Sequence, residues 1–227
     1  MTTYTHSRLG SHGRLGNQIW QVIGTIGLAE RNGATARLDG WWPGREWTSI
    51  PDEYFEPIVS GDVVDTFHHE GGYLQDPQLI PTVWDRSWLR CDHTPPAEQR
   101  ALLRGATGVH VRRTDYLEEH RPHGVIPKDY YLDNWPTGRV FVFTDDPAWC
   151  ERHLPGEIIH TPNAWADWHY LAACGAHLIG NSSFAWWAAH QAGGPVTCPR
   201  PWFNGEHIHD RLILDHWEAK EWTTAHW

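Results

Sequence analysis

The sequence predicts an α/β protein built on parallel sheets, and three observations point there. Short apolar strand candidates alternate with helical or loop segments through the second half of the chain. The opening reads as a strand, a glycine loop, a helix and a second strand. The apolar supply is large for 227 residues, with 40% hydrophobic residues and 16 Trp. Alternation of this kind favours parallel strands covered on both faces by helices, with ligands at the carboxyl ends of the strands. The length admits one large domain or two small ones.

The first strand is expected around residues 4–7, followed by a polar loop punctuated by Gly10, Gly13 and Gly16. A helix then runs over 18–29, with Asn17 as its N-cap and Gly33 as its stop, and 34–38 form a second strand. Residues 41–94 are irregular and rich in Trp, Pro and His, with 62–67 the clearest strand. Pro95 and Pro96 break the chain ahead of a short helix over 97–104. A domain junction in 95–107 divides the chain into halves at 1–105 and 106–227. Further strands are expected at 109–111, 139–143, 157–160, 177–179 and 195–197.

A formal net charge of -10 argues against a general nucleic-acid or anionic-membrane surface, so any phosphate site must be local. Seventeen His make that acidity conditional on pH. The four cysteines, Cys91, Cys150, Cys174 and Cys198, form no Cys-x-x-Cys pair and read as core thiols. Residues 1–16 carry no apolar signal core, and no run of about 18 apolar residues occurs. These features point to a reducing cytoplasm without integral membrane association.

Four stretches carry chemistry. In Gly108-Val109-His110-Val111-Arg112-Arg113-Thr114-Asp115, strand alternation sends His110 and Arg112 to one face and Arg113 to the other, leaving one arginine for a ligand. A guanidinium fork can bond two phosphate oxygens at once. An ion pair among Arg112, Arg113 and Asp115 satisfies the same pattern. In the second stretch a helix ends at Gly175, 177–179 form a strand, and 181–183 turn into a new helix. Ser182 and Ser183 then lie at a helix N-terminus, a natural anion seat, although Asn181 or Ser182 acting only as a cap is the commoner use of such residues. Trp186 and Trp187 read as core. In the third, an apolar strand ends in Asp145 and Asp146, which can bind ribose or orient a base; Asp146-Pro147 also reads as a simple turn. The fourth is the loop Gly13-Arg14-Leu15-Gly16-Asn17-Gln18, where glycine allows close backbone approach. The His-rich spots at 68–70 and 207–210 lack metal-ligand spacing, and no metal is assigned.

Taken together, Gly-Arg-Leu-Gly-Asn-Gln at 13–18, His-Val-Arg-Arg-Thr-Asp-Tyr at 110–116, Phe-Thr-Asp-Asp at 143–146 and Asn-Ser-Ser-Phe-Ala-Trp-Trp at 181–187 resemble the α-1,2-fucosyltransferase family, and Pro199-Arg200-Pro201-Trp202-Phe203 resembles the block that follows in it. Motifs cover residues 13 to about 203, with none in 41–105. The wider group includes the α-1,6- and protein O-fucosyltransferases, and Thr114 looks like the α-1,6 enzymes.

The resemblance implies a GT-B-like architecture of two Rossmann-like halves with parallel sheets, here in a compact variant, the first half on the acceptor side and the second binding a GDP-sugar. It implies transfer of L-fucose from GDP-β-L-fucose to a glycan hydroxyl, with inversion, in α-1,2 linkage and without a cofactor or metal. The alternatives are a transferase of the same fold using another GDP-sugar and an inactive carbohydrate-binding protein. By resemblance Arg112 holds the β-phosphate, His110 and Asp167 the guanine, and Ser183 with Phe184 the phosphates, beside Ser182. Gly16 and Asn17 face the donor from the first half, and Asp115 and Asp145 match family acids with partly structural roles. The catalytic set is thus Arg112, Asp115 and Asn17, while Glu118, Glu119, His120 and His123 all remain open as the base.

Overall fold

The computed structural model describes residues 2–38, 42–69, 72–90, 94–118, 123–203 and 207–223, with the side chains of 207–209 left aside. The chain divides into two compact units, 1–91 and 92–227.

In the first unit, β1 (Thr3–Thr5) leads through the glycine loop to α1 (Leu15–Arg31), then β2 (Thr35–Ala36) and β3 (Val63–Asp65). The strands are parallel in the order β2-β1-β3. Ile19, Val22, Ile23 and Ile26 recur at helical spacing and are all buried, which seats α1 on the sheet. α1 begins two residues before the expected Asn17 cap. Arg14 takes the N-cap position with extended backbone, while Asn17 sits in the first turn and accepts a hydrogen bond from Gln75 Nε2 at 2.8 Å. An Asn here is worth more as a tether to Gln75 than as a cap.

Gly27 lets α1 approach the 77–79 turn closely, since a Cβ at that position would lie 1.7 Å from the Leu79 carbonyl oxygen. Backbone cannot yield as a side-chain tip can. Gly27→Ala is therefore expected to cost about 3 kcal/mol or more, at the top of the overpacking range, read as a lowered urea midpoint. An unchanged midpoint would show that the helix is free to shift.

The second unit carries α2 (Ala97–Arg104), β4 (Thr107–Val111), α3 (Lys128–Asp133), β5 (Val140–Thr144), α4 (Pro147–His153), β6 (Glu157–Ile159), α5 (Ala164–Ala172), β7 (Ala176–Ile179), α6 (Ser183–Ala192), β8 (Val196–Arg200) and β9 (Glu218–Glu221). The α/β class and the parallel sheets are those the sequence predicts. All six strands are parallel, in the order β6-β5-β4-β7-β8-β9. Counted from β4, that is the 3-2-1-4-5-6 order of nucleotide-binding sheets, whose chain reverses direction across the sheet between its first and fourth strands. Val109, Val111, Val142 and Leu178 fill the sheet centre against Tyr130, Tyr131 and Cys150. Trp186 and Trp187 are buried core, as expected, together with Trp20, Trp42, Trp168 and Trp202.

The units part at 91/92, ahead of α2, and not at 105/106. α2 belongs with the sheet that follows it because Leu103 is buried, and the carbonyls of Leu103 and Ala106 accept from Gly175 N at 3.2 and 3.0 Å. Cys150, Cys174 and Cys198 are free buried thiols; Cys91 lies outside the described residues.

Candidate functional site

The three central strands of the six-stranded sheet end side by side. In the parallel register Val111 pairs with Thr144 of β5, and His110 pairs with Ile179 of β7. Arg112 and Arg113, Asp145 and Asp146, and the 180–183 turn therefore leave the same sheet edge as neighbours, at the reversal point where such folds bind ligands.

Arg112 is held from two sides. Its Nη2 lies 2.6 Å from Asp115 and its Nη1 2.9 Å from Asp145, with only 14% of the side chain exposed. The sequence reading left one arginine for a ligand, but both are engaged. Arg113 turns the other way, as alternation predicts. Its Nε donates to Asp146 at 3.2 Å, and its guanidinium lies 3.9 Å from the Trp149 ring centre, a cation–π contact. Arg113 thus anchors the turn while Arg112 faces the sheet edge. A guanidinium has five N–H donors, so two carboxylates orient the Arg112 fork without exhausting it.

Asp145 ties this cluster together. It accepts from Arg113 N at 2.9 Å and from the Thr114 hydroxyl, besides pairing with Arg112. Burial works against its charge, but the Thr114 hydroxyl, the Arg112 guanidinium and the Arg113 amide outweigh it and hold the carboxyl below its usual range. His110 is pushed the opposite way. Burial keeps its imidazole neutral, the Asp145 charge opposing and the Arg112 charge reinforcing. Its Nδ1 has no hydrogen-bond partner among the described residues, and its ring stacks on Phe184 at 5.3 Å.

Asp146 is the N-cap of α4, accepting from Trp149 N at 3.2 Å with Pro147 at the first helical position, where the sequence suggested a turn. At the other side of the reversal point Ser182 occupies the N-cap position of α6, yet its side chain makes no capping bond. Asn181 does not cap either; its amide donates to the carbonyls of His123 and Gly124 at 2.6 and 3.2 Å. Neither Ser182 nor Asn181 thus caps the first amides of α6 with its side chain, and the helix dipole puts its positive end at this turn. That matters because Arg112 and Arg113 are already matched by Asp115, Asp145 and Asp146, so an arriving anion needs a further positive source.

The structure brings together His110, Arg112, Asp115, Asp145 and Phe184, with Ser182 and Ser183 opening the adjoining helix. Tyr116, whose ring lies 5.6 Å from the Arg112 guanidinium, donates its hydroxyl to Asn181 O at 3.3 Å and so spans the two sides. Asp167 stands on α5, where it accepts from Thr161 N at 2.7 Å and approaches His160 at 3.4 Å. Its neighbour Trp168 donates to Phe184 O at 3.1 Å, which links that helix to the α6 turn. Gly16 and Asn17 belong to the first unit, at the start of α1. Glu119 and His120 lie outside the described residues. The sequence reading missed Trp149, Thr114 and Asn181 as partners, since tertiary pairing alone reveals them.

A family model described as Glycosyl transferase family 11 matches residues 42–214. The chain belongs to this family. Family 11 membership bears out the resemblance drawn from the motifs, although the matched range takes in 42–105, where no motif was seen, and leaves out the glycine loop at 13–18. An alpha-1,2-colitosyltransferase of Escherichia coli is 30% identical over 124 residues, covering 45% of this chain and 43% of that protein. Galactoside alpha-(1,2)-fucosyltransferase 1 of Rattus norvegicus is 27% identical over 240 residues, covering 82% of this chain and 63% of the relative. The family 11 chain thus spans less than two thirds of the length of these relatives. A solved structure of POFUT1 in complex with GDP aligns with a TM-score of 0.44 at 12% identity, over 87% of this chain and 97% of the other. No helix among the described residues is long and apolar enough to cross a membrane.

Proposed function

We propose that this family 11 chain transfers L-fucose from GDP-β-L-fucose to a hydroxyl of a glycan acceptor, in α-1,2 linkage and with inversion at the sugar carbon. One observation carries the reading: Arg112 and the N-terminus of α6 flank the reversal point of a 3-2-1-4-5-6 parallel sheet, linked through Tyr116. A fucosyltransferase has little covalent chemistry to supply. Breaking the bond between fucose C1 and the phosphate oxygen leaves positive character on the sugar and negative charge on departing GDP, while the acceptor oxygen bonds to C1 from the opposite face and loses its proton. Donors aimed at the diphosphate lower that barrier because they gain strength as the charge develops.

In this scheme Arg112 and the first amides of α6 take the phosphates, with Ser182 and Ser183 beside them. Asp145 fixes the guanidinium fork. Asp115, carried three residues beyond Arg112 on the same turn, yields its place to a phosphate oxygen. His110, neutral and stacked on Phe184, and Asp167 take the guanine. No metal is required, and free buried thiols suit a reducing compartment.

The colitosyltransferase relative favours a second reading, in which another sugar is carried on the same nucleotide. Incubating the protein with a panel of GDP-sugars and glycan acceptors, with and without EDTA, separates the two by mass spectrometry. The expected result is a fucosylated product formed at the same rate in EDTA. Transfer of a different sugar overturns the donor assignment; complete loss in EDTA, restored by a divalent ion, overturns the metal-free mechanism.

A further inference from the structure

We infer that Asn181 is a positioning residue of the nucleotide site, holding Tyr116 in place beneath Arg112; this rests on the reading of the site as a GDP-sugar cradle. Asn181 stands one residue before the N-cap of α6, next to the position whose side chain ordinarily meets the helix amides. Here it turns away. Its Nδ2 reaches the carbonyls of His123 and Gly124 at 2.6 and 3.2 Å, and its own carbonyl receives the Tyr116 hydroxyl at 3.3 Å. One residue thus fastens two points of the chain that leaves β4.

The two fastened points also touch each other. The His123 ring stacks on Tyr116 with centroids 4.9 Å apart, and Phe203 lies 4.4 Å from His123. The Tyr116 ring in turn lies 5.6 Å from the Arg112 guanidinium. A contiguous path therefore runs from the Asn181 amide through His123 and Tyr116 to the arginine at the sheet edge, in addition to the shorter one through the Tyr116 hydroxyl.

The cost of this arrangement sets it apart from ordinary packing. Asn181 is 1% exposed, and its Oδ1 is buried with no hydrogen-bond partner among the described residues. A buried unpaired acceptor disfavours folding, so stability alone does not account for an amide at this place. Asp145 and Asp115 orient the Arg112 fork from the sheet side, and the Asn181 clamp sets the aromatic surface below it. Small displacements of a positioned group weaken binding and turnover steeply.

The test measures GDP binding by calorimetry for the full chain and for Asn181→Ala, Tyr116→Phe, the double variant and Arg112→Ala, with folding checked by circular dichroism. Asn181→Ala is expected to weaken GDP roughly tenfold or more and Tyr116→Phe severalfold. The double variant should be weaker than either by much less than the product of the two, because both act through Tyr116. Independent effects that multiply, or an Asn181→Ala protein that is folded and binds GDP normally, overturn the clamp. If Asn181→Ala fails to fold, Tyr116→Phe decides alone: unchanged GDP affinity overturns the inference. Arg112→Ala binding GDP as the parent does would instead overturn the underlying assignment of the site.

Discussion

Replacing Arg112 with alanine is expected to reduce kcat/KM by roughly 10²–10³-fold, the cost of deleting one donor from a preorganised site, about 2.7–4 kcal/mol. The fall should lie mostly in kcat, because the leaving diphosphate gains charge only as the sugar bond breaks. GDP itself should bind more weakly as well, so that the thermal stabilisation it confers on the parent protein largely vanishes. Arg112→Lys provides the sharper comparison. Lysine keeps the charge but has no planar fork, and so it cannot hold Asp115, Asp145 and a phosphate together. Its activity should remain far below that of the parent although the local charge is unchanged. A lysine variant with full activity would mean that only charge matters at this position. An alanine variant with full activity would remove Arg112 from the mechanism.

Acidification from pH 7 to pH 5 is the second large effect. Burial pushes His177 down to about 4, the hydrogen bond to Leu171 O opposing, so the folded chain leaves this imidazole neutral while the unfolded chain protonates it near 6.5. The unfolded state then binds more protons, and stability falls with pH from 6.5 until the folded value is reached. By pH 5 His177 alone removes roughly 2 kcal/mol. His6 and His110 are also lowered, chiefly by burial, and add to the loss with the same sign. Against a typical total of about 5–15 kcal/mol this is a large share. Urea unfolding at pH 7, 6 and 5 checks it, with His177→Gln expected to flatten the slope by about one proton. A stability that stays level across that range would show that these imidazoles are charged in the folded protein.

Much of the architecture could be read before any coordinates. The helix at 97–104 and the strands ending at Val111, Thr144, Ile159 and Ile179 stand where apolar runs between turn residues put them, because strand and helix periods are local properties. β9 went unseen because Glu218-Ala219-Lys220-Glu221 has no apolar alternation; its strand state comes from pairing with β8. Asp146-Pro147 misled for a different reason: the same dipeptide opens turns and helices, and only the Trp149 amide above it decides. In the site, the arginine pair and the Ser-Ser turn announced themselves through residue type. Their electrostatic state did not. Nothing in the octapeptide tells that Asp145, from the next strand, claims Arg112, or that Asp146 and Trp149 enclose Arg113.

The strand order also governs when the site comes into being. β4 and β7 lie side by side, yet α3, β5, α4, β6 and α5 all intervene between them along the chain. Closing a loop that long is slow, and contacts of high sequence separation are made late in folding. A nascent chain that has emerged only as far as β6 already bears Arg112 and Asp145 but lacks the α6 amides and the Tyr116 anchor. On the proposed function such an intermediate has no seat for a diphosphate, so GDP capture would mark the moment at which β7 and the turn into α6 dock, and a refolding assay can time that event.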